Sequence, residues 1–141
     1  MRLIIRILLF LIVVGGWTLE SAAAEIAVIV SKDLDLASLS QSDIKRVFLG
    51  KKRKLAGKKV KLVDLKNSDI SARFYADIIG KSGASLRKYR AKLIFTGRGR
   101  APKEVSTPSE VKSFVSSESG AIGYIPASDL DASVKAVFKY Q

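Results

Sequence analysis

Short apolar runs alternate with marked amphipathic helices along most of this chain, and that alternation limits it to few folds. Ile26-Ala27-Val28-Ile29-Val30 is an unbroken, mostly β-branched run, the pattern of a buried strand. A helix with both ends marked follows. Ser40 can cap it and Asp43 can return the capping-box bond. Ile44, Val47 and Phe48 form one apolar face at i, i+3 and i+4, and Gly50 stands where a left-handed C-cap ends such a helix. Lys51–Lys59, with Gly57, reads as a solvated basic loop or hairpin tip. Val60–Leu65 reads as a second strand.

Asn67-Ser68-Asp69 opens the next helix, with Phe74/Ile78 and Tyr75/Ile79 as i, i+4 pairs and Gly80 as its stop. A third helix starts near Ser82–Ser85 and carries Leu86, Tyr89, Arg90 and Leu93 along one stripe. Two glycines and a proline make Phe95–Pro102 a loop. Thr107-Pro108-Ser109-Glu110 is a helix start with N-cap, N1 proline and N3 glutamate, and Gly120 is the stop. Ala121–Ile125 is a short buried strand whose Gly123 implies a close backbone approach, and Val134–Phe138 alternates like a last strand. The order β-α-β-α-α-α-β-β predicts an α/β domain of two or three layers, with a mainly parallel sheet of about four strands flanked by helices.

The first 24 residues stand apart from this pattern. Arg2 and Arg6 precede the apolar run Ile7–Val14, and Ala22-Ala23-Ala24 offers an A-x-A cleavage site. The expectation is a signal peptide over 1–24, cleaved near Ala24-Glu25, and one domain over 25–141. An uncleaved membrane anchor is the alternative. It is disfavoured because a spanning helix needs roughly 20 apolar residues, and Gly15-Gly16, Thr18 and Glu20 interrupt this one. On this reading the protein is periplasmic and, once cleaved, not integral to a membrane.

The chain has no cysteine and no histidine. Ser-His and Cys-His nucleophilic catalysis are therefore excluded, disulfides cannot form, and a zinc site lacks its usual ligands. The carboxylates are scattered without the paired spacing of an acid/base couple. No enzymatic activity, cofactor or metal is expected. The net charge is +12, or +11 over Glu25–Gln141. Such a surface attracts anions, acidic proteins or anionic lipid. Nucleic acid is not an expected partner of an exported protein, and a merely solvated basic surface is the plainer account.

Three strings resemble segments of the periplasmic phosphate-binding proteins of ABC transporters. Leu39–Lys51 resembles their L-S-x-x-D/E-I-x-x-I-F/Y-x-G-K segment. Ser119–Ile125 resembles their x-G-A-I-G-Y-V segment. Between them, Tyr89 with Leu93–Gly99 and Pro102–Val105 resembles a W/Y-x3-L-x-F-T-G-x-G-x-x-P-x-E-V pattern associated with short, stand-alone relatives. The resemblance runs from about Ile26 to Tyr140. It implies a single lobe of the periplasmic-binding-protein type, binding phosphate or another small anion, with a homodimer or protein partner needed to enclose a ligand. In the family, an Arg-x-Asp-Gly-Ser-Gly-Thr turn at a helix start binds phosphate, which suits the anion-binding character of such ends. The matching stretch here, Asp64–Ser71, lacks the Gly-Ser-Gly core and places Asp64 near the family's arginine. Asn67, Ser68 and Ser71 can still donate to an anion, or Asn67 or Ser68 can simply cap the helix. Gly97, Arg98 and Gly99 form a second candidate, through exposed N–H groups and charge, or only a flexible basic loop. The alternative to anion binding is a protein-interaction module or adaptor that keeps the lobe without its anion site.

Overall fold

The computed structural model describes residues 24–66 and 68–141. The expected signal peptide, but for Ala24, and Asn67 lie outside the described residues. Among the described residues, seven strands and four α-helices follow one another. They are β1 (Ile26–Val30), α1 (Gln41–Phe48), β2 (Lys54–Leu55), β3 (Lys58–Lys59), β4 (Lys61–Leu65), α2 (Asp69–Arg73), α3 (Gly83–Phe95), β5 (Lys103–Val105), α4 (Pro108–Ser117), β6 (Ala121–Pro126) and β7 (Lys135–Tyr140). A π-helical segment, Phe74–Ile79, continues α2 directly.

The central sheet has the order β5-β4-β6-β1-β7. Strand β4 is parallel to both β5 and β6, and β1 is antiparallel to both β6 and β7. Four of the five strands therefore run the same way, and only β1 is reversed. The sheet is mostly parallel, as the alternation predicts, with one strand more than expected. The addition is β5, a Lys-Glu-Val edge strand with no apolar run to announce it. Its neighbour on one side only is β4, so its side chains stay largely in water. The basic turn contains the small hairpin β2–β3.

Both faces of the sheet are covered. An added Cβ at Gly123 would meet Val63 Cγ1 at 2.5 Å and Val111 Cγ1 at 2.9 Å, so α4 lies directly on β6 there. The next side chain along β6, Tyr124, points to the opposite face. It stacks on Phe74 with ring centroids 3.9 Å apart, and Phe48 and Tyr75 complete the cluster. The π-helical widening turns Phe74, Tyr75, Ile78 and Ile79 all inward. Both Gly80 and Lys81 donate to the Tyr75 carbonyl as the segment ends.

The helix starts follow the sequence. Thr107 and Glu110 form the reciprocal capping box, at 3.2 Å and 3.1 Å. Ser40 Oγ accepts from Asp43 N at 3.1 Å. The Asp43 carboxylate, expected to reach back to the cap, instead accepts from Lys52 Nζ at 3.1 Å.

Candidate functional site

The carboxyl end of β4 meets the start of α2, where the resemblance places an anion loop. Asp64 sits there, 4% exposed. A buried carboxylate is costly unless its oxygens are satisfied. Tyr124 donates to Oδ1, while Tyr75 Oη and Arg90 Nη2 donate to Oδ2, each at 2.9 Å. The Arg90 guanidinium also lies over the Tyr75 ring, 4.7 Å from its centroid. Tyr124 Oη further accepts from Leu65 N at 3.3 Å. Burial first, then the adjacent Asp64 carboxylate, pushes the Tyr75 and Tyr124 hydroxyls above the ordinary tyrosine value, so both stay protonated donors.

The two described serines of the predicted site are already engaged. Ser68 Oγ caps α2 by accepting from Ser71 N at 3.0 Å. Ser71 Oγ lies 2.9 Å from Tyr124 Oη. Because the single tyrosine proton goes to Asp64, Ser71 supplies the proton of that bond. The locus is thus filled by the chain's own carboxylate and its donors. Asn67 lies outside the described residues.

The second candidate takes part in something larger. Gly97, Arg98 and Gly99 line a cleft of about 690 Å³ between the end of α1, the basic hairpin region and the α3–β5 loop. Lys52, Arg53, Lys59 and Lys61 supply one basic wall, and Arg90, Arg98, Arg100 and Lys103 the other. No carboxylate among the described residues belongs to the lining. Lys52, Lys61 and Arg90 pair with Asp43, Glu118 and Asp64 respectively. The other five cations make no ion pair among the described residues. Arg53 crosses the cleft and donates to the Arg98 carbonyl.

The loop does not display its amides as expected. Gly97 N donates to the Ile94 carbonyl at 3.1 Å, and Arg98 N and Gly99 N donate to the Leu93 carbonyl at 2.9 Å and 3.2 Å. These groups close the end of α3, with Gly97 in the left-handed region at φ +67°. The amides of Gly97, Arg98 and Gly99 are thus spent within the chain, and the arginine side chains of the loop are what it offers an anion. The structure therefore separates the predicted residues: Gly97, Arg98 and Gly99 share the cleft, while Ser68 and Ser71 belong to the Asp64 cluster. Sequence reasoning missed the opposite wall. The signal was two basic segments, 51–61 and 90–103, but nothing in their order shows that they face each other.

No family model and no curated protein matches the sequence. Solved structures do match. An ABC-type phosphate transport receptor from Vibrio cholerae superposes with a TM-score of 0.62 at 17% identity, over 81% of this chain and 46% of that one. A Clostridium perfringens protein assigned as a phosphate ABC transporter substrate-binding protein, solved with bound phosphate, gives 0.62 at 22% identity, over 81% and 45%. PstS from Borrelia burgdorferi gives 0.61 at 13%, over 81% and 47%. The chain shares the fold of these phosphate-transport proteins. It spans less than half the length of each solved chain.

Proposed function

We propose that this chain is an exported, non-enzymatic module of the solute-binding type that holds phosphate or another small anion in the basic cleft, not at the β4–α2 junction. The observation that carries the reading is the cleft's lining, eight cationic side chains and no carboxylate. Its volume lies within the range of small-molecule sites. The β4–α2 junction is unsuited, because an anion there would face the buried Asp64 carboxylate. On this reading the N-terminal segment directs export to the periplasm and is removed.

Titration calorimetry with inorganic phosphate and with sulfate at low salt tests the proposal. Saturable heat is expected, lost in the Arg98→Ala/Lys103→Ala double variant and kept in Ser68→Ala. Heat no larger than dilution at millimolar anion sinks it. A second reading, a protein-interaction module that has given up the family's anion locus, is favoured by one observation: Asp64 already occupies that locus. Its signature is a stable complex with a partner or a second copy, and no anion heat.

A further inference from the structure

The helix α3 is poorly explained by the packing of the domain. Of its thirteen residues only Leu86 is buried. Tyr89, Arg90 and Leu93 share that inner side and are half-buried, with Tyr89 Oη donating to the Leu49 carbonyl at 2.6 Å. The opposite side is defined by helical spacing. Lys88, Ala91, Lys92 and Phe95 fall at i, i+3, i+4 and i+7, and all are exposed. Phe95 is 93% exposed and the adjoining Ile94 50%, and these two are the exposed large hydrophobic residues among the described part of the chain. From Asp77 to Glu104 there is no acidic residue between, while eight are basic. Arg87, Lys88 and Lys92 make no ion pair among the described residues.

We infer that the outer face of α3 docks on an anionic lipid surface, with Phe95 entering the apolar boundary and Arg87, Lys88 and Lys92 meeting headgroup phosphates. An exposed helix face that carries lysines and ends in a bare aromatic ring offers the two attractions a membrane surface uses, charge for anionic headgroups and an apolar group for the boundary beneath them. The lysine stems reach along the apolar boundary while their ammonium groups stay with the headgroups. An acidic protein is a weaker match, because the clefts on either side are lined by Lys92 and Thr96 or by Ile94 and neither takes in Phe95, so the ring has no seat shaped for one partner. The inference rests on the outer face of α3, whose Arg87, Lys88, Lys92 and Phe95 do not line the basic cleft.

Vesicle sedimentation of the full chain tests it, comparing phosphatidylcholine alone with a 3:1 mixture of phosphatidylcholine and phosphatidylglycerol. The apolar run Ile7–Val14 is the same in every arm, so the differences between variants are read. Binding to the anionic vesicles is expected to fall roughly 30-fold in Lys88→Gln/Lys92→Gln and ~10-fold in Phe95→Ala. The lysine variant leaves any binding to neutral vesicles unchanged, and anion heats in the cleft stay as in the wild type in both. Equal binding to both vesicle types, or unchanged binding of both variants, overturns the inference. Retention on immobilised polyglutamate without vesicle binding also overturns it and assigns the face to an acidic protein.

Discussion

Tyr75 Oη donates to Asp64 Oδ2 at 2.9 Å across the boundary between the π-helical segment and the sheet. That bond joins two features that have separate origins in the sequence. One is an aspartate at the end of a strand, and the other is a tyrosine brought inward by a widened helical turn. Arg90 closes the group from α3 and also lines the cleft. The buried cluster thus sets the position of one cation on the cleft wall, so folding of the core and shaping of the basic surface are linked.

Removing a member of this cluster costs more than the bond it makes. Asp64→Ala leaves two tyrosine hydroxyls and a guanidinium without their acceptor, and a loss of ~3–5 kcal/mol is expected. Arg90→Ala leaves the carboxylate its two hydroxyl donors, so its loss sits near the ~3 kcal/mol lower end of that range. Tyr124→Phe strips one donor from Asp64 and one acceptor from Leu65 N, for ~1–3 kcal/mol. Urea unfolding followed by far-ultraviolet circular dichroism orders the three. An Asp64→Ala chain as stable as wild type removes the structural role assigned to the carboxylate.

Alkaline pH should destabilise the fold through Tyr75 and Tyr124. Both hydroxyls are raised in the folded state by burial and then by Asp64. The unfolded chain therefore releases their protons first, near the usual value of about 10. The stability they contribute is complete below that pH and falls as pH rises towards the folded values. The slope for two such groups is ~2.7 kcal/mol per pH unit. Unfolding free energies measured from pH 9 to 11 should show it, and Tyr75→Phe should halve it. Phenolate absorbance adds a direct reading, since neither group should ionise near pH 10 in the native protein.

The elements that follow a strong period were legible from the residues. The run Ile26–Val30, the Thr107–Glu110 start and the Gly80 stop all appear where the spacing puts them. Strand β5 was not, because a three-residue charged edge strand is specified by the neighbour it pairs with and not by its own side chains. The π-helical turn was hidden for a related reason: Phe74/Ile78 and Tyr75/Ile79 fit an ordinary helix equally well. At the candidate site, Ser68 was legible as a cap. The cleft was only half legible, since charge runs state that cations are present and leave their mutual placement to the tertiary fold.

Ser71 and the two walls of the cleft separate the competing sites in one experiment. Ser71→Ala removes a proton donor from Tyr124 and is expected to lower stability by ~1 kcal/mol, without changing anion affinity. Arg53→Ala and Arg98→Ala leave stability within ~0.5 kcal/mol and weaken phosphate binding, more so at low salt, where screening is least. Calorimetry and urea unfolding on these three variants and the wild type decide it. Weakened anion binding in Ser71→Ala with none in Arg98→Ala would return the site to the β4–α2 junction.

Two glycines of the sixth strand and its approach test the packing that holds these surfaces in place. At Gly123 a methyl group would sit 2.5 Å from Val63 Cγ1 and 2.9 Å from Val111 Cγ1. Valine methyl groups on a strand and a helix can retreat slightly, so Gly123→Ala is expected to cost ~1–3 kcal/mol through overpacking. Gly120 is worse placed. Its φ is +77°, and an added Cβ would lie 2.2 Å from the Lys59 carbonyl oxygen, which is backbone and cannot turn aside. Strain and clash act together there, so Gly120→Ala should be the more damaging change. It should also push the β2–β3 hairpin, and Lys59 with it, away from the cleft. Denaturation midpoints give the order of the two variants. A Gly120→Ala chain more stable than Gly123→Ala contradicts the close approach of the hairpin backbone to the start of β6.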